Sequence, residues 1–422
     1  MARIYEYQGK EVLKKHGILV PKSWLVGSVE EARMIFSEIS GPVVLKAQVL
    51  VSGRLKAGGI QFAETLDQVE AKLTQLLGSR IKGFEVEKVL IEERLEITRE
   101  LYLAVIVSDS YKVKGPVMLF CSEGGIDIEN VATRAPSRVA KLPVDYTEHV
   151  TKEKIFAELV SKADFDASLG SVIGEKIAEV GQRLYEVFKA TDARIAEINP
   201  LVLTKDNNLV AADCRITIDD HSVFRHKEFN VLIPRDMDRP PTELEKIAWL
   251  LIEEDDYRGT GYFAQLHPNL KGENWIGFHG IGGGGAMLAA TALLDKGFKI
   301  ANYADTSGDP PASKIYLVIK TIFSLPIDGY ILMGAILANQ EQWHHAHAIV
   351  KALKEEARQR PGFPVVILIA GNKEKEAHDI IRNGLRDVPL QWELYGRDYI
   401  YKTDFIASRM EKLIKHYKNG RG

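Results

Sequence analysis

Cysteine is nearly absent from this chain: only Cys121 and Cys214 occur in 422 residues. Two cysteines build no disulfide framework, so a reducing cytoplasm is the expected setting. The N-terminus, Met1-Ala2-Arg3-Ile4-Tyr5-Glu6, lacks the apolar core of a secretory signal. No run approaches the roughly 20 apolar residues that a membrane helix needs, so no membrane association is expected. A surplus of positive charge is missing too. Lys and Arg number 55 against 58 Asp and Glu, a net charge of −3, which argues against a nucleic-acid partner. What is present, 45% hydrophobic and 27% charged residues, is the balance of a soluble enzyme long enough for two or three domains.

The stretch that organises the chain is Glu197-Ile198-Asn199-Pro200-Leu201-Val202, followed by Leu209-Val210-Ala211-Ala212-Asp213. In a strand, Glu197 and Asn199 point to one face. Pro200 has no N–H for a ladder and is expected to end the run. Asp206-Asn207-Asn208 reads as a turn, and the returning strand brings Asp213 back. The hairpin then displays a carboxylate, an amide oxygen and a second carboxylate. Such hard oxygens hold Mg²⁺ while nucleotide phosphates complete its shell, although a decorated surface hairpin has the same pattern.

Upstream, residues 5–16 and 29–39 have helical spacing, with Tyr7, Val12 and Leu13 on the inner face of the first. Val43-Val44-Leu45 is a buried strand with Lys46 at its end. The loop Val51-Ser52-Gly53-Arg54-Leu55-Lys56-Ala57-Gly58-Gly59 is glycine-rich and basic, which lets backbone approach phosphates while Lys and Arg neutralise them. It is not a Walker A sequence, and a flexible hairpin tip reads equally well. Further strands emerge at Glu92 and follow Glu100, and residues 169–189 form a long helix. Arg239-Pro240-Pro241 marks a domain boundary. A helical link then reaches about Gln265. Beyond it, five strand–helix units in succession predict a doubly wound parallel sheet.

In that second half Gly280-Ile281-Gly282-Gly283-Gly284-Gly285 satisfies G-x-G-x-x-G between a strand and a helix, with Asp305 further on as a dinucleotide site requires. A Rossmann cofactor domain is therefore a rival reading. The same loop, Gly282, Gly283, Gly284, Gly285 and Ala286, would equally cradle a carboxylate at a helix N-terminus. Ser307 and Gly308 follow the next strand and Asn339 the third, all at the carboxyl ends of parallel strands where such sheets bind ligands. His344-His345-Ala346-His347 invites a metal, but no carboxylate or cysteine completes a site, and a solvated helix face is the preferred reading.

With these pieces placed, the chain resembles the β subunit of succinyl-CoA synthetase and its relatives over nearly its full length. The resemblance rests on Tyr5-Glu6-Tyr7-Gln8-Gly9-Lys10, Val44-Leu45-Lys46-Ala47-Gln48, Gly53-Arg54-Leu55-Lys56-Ala57-Gly58-Gly59, Glu100-Leu101-Tyr102-Leu103, Glu123-Gly124-Gly125-Ile126-Asp127-Ile128-Glu129 and the Glu197 stretch, in that order. It implies an ATP-grasp nucleotide-binding fold over 1–238 and a flavodoxin-like CoA-ligase domain over 239–422. It implies that Lys46, Gly53, Arg54 and Leu55 hold the phosphates of ATP, with Glu92 and Glu100 along the nucleotide cleft. It implies Mg²⁺ on Asn199 and Asp213. Glu197 would meet a phosphohistidine of a smaller α-type partner subunit that also carries most of the CoA site. Pro21 points to ATP over other nucleotides. Leu55 departs from the family's usual glycine.

The second half is more similar to the matching part of ATP-citrate lyase. Gly334-Ala335-Ile336-Leu337-Ala338-Asn339 and Ala301-Asn302-Tyr303-Ala304-Asp305-Thr306-Ser307-Gly308 carry that likeness. The lyase's citrate-binding arginine has no counterpart in Ile367-Leu368-Ile369-Ala370-Gly371-Asn372. With no lyase module expected, the pattern resembles the large subunit of citryl-CoA synthetase. The expected reaction is citrate, CoA and ATP to citryl-CoA, ADP and phosphate. Succinate or malate as the acid, an NAD-dependent oxidoreductase, and a nucleotide-binding regulatory module are the alternatives.

Overall fold

The computed structural model describes residues 2–36, 38, 41–110, 112–125, 128–163, 170–235, 239–334 and 340–420. The chain divides into two compact units, Met1–Pro240 and Pro241–Gly422. Among the described residues no helix is long and apolar enough to cross a membrane.

The first unit is built on antiparallel sheets. Its largest has seven strands, with Ala193–Thr204 and the long Ile97–Val107 paired at the centre. Along Ile97–Val107 the side chains alternate between two apolar layers. Leu101, Leu103 and Val105 join the main core, while Tyr102 and Ala104 pack with Cys121 and Val131 on the other face. The helix Gly170–Ala190 covers the main core with Ile173, Ile177, Val180, Leu184 and Val187, spaced by three or four residues as one helical stripe demands. A second sheet of four strands runs in the order Ser23–Val26, Val89–Glu93, Val43–Ala47, Ile60–Ala63. The helices Val29–Phe36 and Leu66–Leu76 contribute Ala32, Val69, Leu73 and Leu76 to its core.

Pro200 does not end its strand. Ala193–Thr204 runs straight through it, and the pairing register shifts between Ile198 and Leu201, so the missing N–H falls where the ladder is already interrupted. The returning strand is Leu209–Ala211, and Asp213 lies just before the next strand, Cys214–Ile218. Asn199 N–H donates to the Asp213 carbonyl at 3.1 Å, which keeps the two residues side by side.

In the second unit five parallel strands stand in the order Lys299–Asp305, Trp275–Ile281, Gly329–Gly334, Pro364–Leu368, Gln391–Tyr395. In chain order that is 2-1-3-4-5, the flavodoxin-like arrangement, with its switch point between the first and third strands. The helices Ala312–Phe323, Gln342–Gln359 and Glu374–Leu385 cover one face, and Gly283–Asp295 and Thr403–Asn419 cover the other. A sixth strand, Tyr262–Gln265, closes the edge antiparallel to Lys299–Asp305. The expected helical link therefore stops early. Thr242 and Glu245 form a capping box that starts the helix Glu243–Ala248, and the chain turns extended at Tyr262 because its backbone groups pair with the sheet edge.

Candidate functional site

The first helix, Glu6–Lys15, turns two charged side chains inward. Glu6 and Lys10 are one helical turn apart, both buried, and paired at 2.8 Å. Lys46, on Val43–Ala47, meets the same Glu6 oxygen at 3.0 Å and Glu92 Oε2 at 2.7 Å. The antiparallel register sets Val44 opposite Glu92, so Lys46 and Glu92 are diagonal neighbours on one face. Lys10 also pairs with Glu92. Both lysine ammonium groups donate to the Ala212 carbonyl, at 2.8 Å from Lys10 and 2.6 Å from Lys46.

Arg54 closes the cluster. The loop at 51–59 is a folded turn in which Gly59 N–H donates to Arg54 O at 2.8 Å, and Gly53 adopts φ 71°, where glycine is favoured. This geometry sends the guanidinium inward. Nη1 meets Glu6 Oε2 at 2.7 Å as an ion pair without hydrogen-bond alignment, and Nη2 donates to both Asp213 oxygens at 3.0 and 2.9 Å. Leu55, next in the turn, faces solvent. Burial alone would drive the proton off Lys46, but Glu6 and Glu92 outweigh it and raise the ammonium above its usual range. Burial disfavours the charged form of Glu6 also, yet Arg54, Lys10 and Lys46 together hold it well below the usual carboxylate range.

Beside this cluster lies the Glu197 stretch. Asn199 Oδ1 accepts Gly125 N–H at 2.9 Å, and Asn199 Nδ2 donates to Glu197 Oε1 at 3.3 Å. Burial raises the Glu197 carboxyl above its usual range, against the pull of Asn199 and Arg215. The preceding glycine is confined: a Cβ on Gly124 would lie 2.2 Å from Leu101 O. Gly124 N–H donates to Glu100 O at 2.9 Å, which places exposed Glu100 beside this turn.

The structure thus draws Lys46, Arg54, Glu92 and Asp213 into one cluster, with Glu197 and Asn199 on the strand next to it. Sequence reasoning missed Glu6 and Lys10. The signal was there as two opposite charges four apart on a helix whose inner face also holds Val12 and Leu13. Among the described residues no group of three or more His, Cys, Asp or Glu side chains could hold a metal by itself. Asp213 and Asn199 supply a carboxylate and an amide oxygen from adjoining backbone, the donor chemistry a hard divalent cation takes, and in this structure those oxygens meet Arg54 and Gly125 N–H.

In the second unit, Gly282 at φ 85° opens the helix Gly283–Asp295, and exposed Gly283 and Gly284 have open space where a Cβ would stand. Ala286 is fully buried against the sheet. Gly282 N–H donates to Asp305 Oδ1 at 2.9 Å, and Ser307 Oγ–H donates to Asp305 Oδ2 at 2.7 Å. Asp305 therefore clamps the glycine loop to the Ser307–Gly308 turn. Gly308, at φ 77°, passes close to Gly259. Asn339 lies outside the described residues. The solvated face expected for the histidine cluster holds for exposed His347 but not for His345, which is buried because it shares the inward stripe of Gln342–Gln359 with Gln342 and Ile349.

An ATP-grasp nucleotide-binding unit followed by a flavodoxin-like unit is the architecture of ATP-dependent ligase chains. Residues 3–203 match the family model of the ATP-grasp domain, and residues 256–411 match that of the ATP citrate lyase citrate-binding region. The chain belongs to the succinate–CoA ligase β-subunit family. It is 34% identical to the GDP-forming subunit β of Thermus thermophilus over 90% of this chain and 93% of that one. To the ADP-forming subunit β 2 of Archaeoglobus fulgidus it is 32% identical over 92% and 94%. Among solved structures, ATP citrate lyase from Methanothrix soehngenii, in complex with citrate and coenzyme A, shares the fold. The TM-score is 0.73 at 20% identity, covering 97% of this chain and 99% of that one.

Proposed function

We propose that this chain is the large subunit of an ADP-forming citrate–CoA ligase. The observation that carries the choice of acid is the citrate-binding family match over 256–411, within a chain whose relatives of similar length are succinate–CoA ligase β subunits. Lys46 and Arg54 neutralise nucleotide phosphates, and Glu6, Lys10 and Glu92 hold them in place. Asn199 and Asp213 would hold Mg²⁺, which would screen the phosphate charge. Glu197 accepts a hydrogen bond from a histidine of a smaller partner subunit and so orients its free ring nitrogen toward the γ-phosphoryl group. That nitrogen takes the phosphoryl and ADP leaves. A citrate carboxylate oxygen then takes the phosphoryl from the histidine, and the CoA thiolate displaces phosphate to give citryl-CoA.

In the second unit the first-turn amides of Gly283 and Gly284 are donors at the carboxyl end of a parallel strand, and the Ser307 oxygen, whose hydrogen goes to Asp305, is an acceptor on the turn clamped to the same loop. Citrate, with three carboxylates and a hydroxyl, can pair more of them than succinate can. A site built to hydrogen-bond a group rejects analogues lacking it, by up to roughly 10⁴-fold. Succinate is the second reading, favoured by the relatives' own activity. The test is ADP release by the reconstituted pair with citrate, succinate or malate at equal concentration. Citrate is expected to turn over fastest. Equal turnover of succinate sinks the choice of acid, and stabilisation by NAD instead of Mg-ATP in a thermal-shift comparison sinks the ligase reading.

A further inference from the structure

Beneath the Ser307–Gly308 turn lies a chain of four polar side chains, each fully buried. Tyr330, on the third parallel strand, has its Oη 2.7 Å from His279 Nδ1 on the first. His279 Nε2 lies 2.7 Å from Thr306 Oγ1, just past the second strand, and Thr306 Oγ1 lies 2.8 Å from His345 Nε2, in the helix Gln342–Gln359. The chain thus joins three strands and a helix at the sheet's switch point.

Its protons can be placed by counting. The Thr306 hydroxyl has one hydrogen, so it can donate to only one histidine, and accepting from both would leave that hydrogen unpaired. If Tyr330 donates to His279 Nδ1, then His279 Nε2–H donates to Thr306 and Thr306 donates to His345 Nε2. Only His345 Nδ1–H is then left without a partner, and that nitrogen is indeed buried and unpaired. The reverse direction strands the Tyr330 hydroxyl hydrogen as well, a second buried orphan. Both rings are neutral, since burial lowers His279 well below its usual range and holds His345 at about 3.

Thr306 is held on its backbone too. Its N–H donates to Gly280 O at 3.2 Å, and its carbonyl accepts from Gln340 Nε2 at 3.4 Å. Gln340 Oε1 in turn accepts Asp309 N–H at 3.4 Å, while Ser307 is tied to Asp305 and to Thr260. Thr306 thus fixes the backbone immediately before the Ser307–Gly308 turn, while Asp305 and Thr260 hold Ser307 itself. Resting on the acid-ligase reading above, we propose that Tyr330, His279, Thr306 and His345 form a positioning device for the acid site, with Thr306 as its pivot.

The test uses the reconstituted pair. Thr306→Val keeps the shape but leaves two buried histidine nitrogens unpaired. The KM for the acid is expected to rise by about tenfold or more while that for Mg-ATP stays at the wild-type value. Thr306→Ser, which restores the hydroxyl, should return the acid KM to within about threefold. His345→Leu cuts the chain at its far end and should give the same acid-selective defect. Ring-nitrogen NMR of the wild type should find His279 protonated at Nε2 and His345 at Nδ1. Wild-type acid KM in a folded Val or Leu variant, or the opposite tautomers, overturns the positioning role and leaves the ligase reading intact. Absence of ligase activity in the wild type instead refutes the functional reading, and this role with it.

Discussion

Replacing Glu6 by glutamine should destabilise the first unit more than any other isosteric change in the cluster. The carboxylate lies 2.8 Å from Lys10, 3.0 Å from Lys46 and 2.7 Å from Arg54, and its side chain is 2% exposed. Removing one partner from a buried pair costs roughly 3–5 kcal/mol, because the other charge is left uncompensated in a poorly solvated place. Glutamine keeps one acceptor oxygen for the two lysines but turns an N–H₂ toward Arg54, so about 3 kcal/mol is the expected loss. For a unit of this size that is a fall of about 6–12 °C in the Tm of its transition. Calorimetry across pH separates the cause. The folded pKa of Glu6 lies well below its ordinary 4.5. Its stabilisation is therefore fully present above about pH 4.5 and lost as pH falls through the folded value. The gap between wild type and variant should stay constant from pH 8 to about 5 and narrow below 4.5. A loss under about 1 kcal/mol at pH 7, or a gap that does not narrow in acid, refutes the electrostatic account.

Three further outcomes are expected. Asp213→Asn removes a full charge from the cation site and from Arg54, so nucleotide-dependent phosphorylation of the partner should fall by orders of magnitude with the fold retained; near-normal phosphorylation rejects the assignment. Glu197→Gln, which keeps an acceptor oxygen but loses the charge, should leave Mg-ATP binding unchanged and slow transfer, and because burial raises the Glu197 carboxyl, wild-type transfer should decline as pH drops through a value above 4.5, which a stopped-flow pH profile would read. Gly124→Ala forces a methyl group to within 2.2 Å of Leu101 O, a backbone atom that cannot step aside, so the turn that reaches Asn199 must move and transfer should be lost; wild-type activity in that variant means the turn has no such role.

Much of the site was readable because strand alternation is rigid. Alternation put Glu197 and Asn199 on one face, the resemblance to the ligase family supplied the cleft roles of Lys46 and Glu92 on their strands, and the doubly wound unit announced itself through alternating short apolar runs and helical stripes. The misreadings have local causes. Pro200 looked like a strand end because a ladder interruption on the partner strand is invisible in one sequence. Tyr262–Gln265 was hidden because four residues at a sheet edge carry too little periodicity. Glu6 and Lys10 were given no role, since burial of a charge depends on partners 40 and more residues away. Arg54 was expected to neutralise a phosphate, and its further partners lay out of sight: the folded turn shows its guanidinium committed to Glu6 and Asp213 as well.

That commitment bears on how a nucleotide arrives. Lys10, Lys46 and Arg54 face Glu6, Glu92 and Asp213, three charges of each sign within a few ångströms. Such a cluster casts almost no field beyond a Debye length of about 8 Å at physiological salt, so it does not steer a polyanion from a distance. Capture should then depend on random encounter and on contacts made after arrival. The association rate for Mg-ATP should change little with ionic strength, while the dissociation rate, set by short charge-assisted hydrogen bonds, carries the affinity.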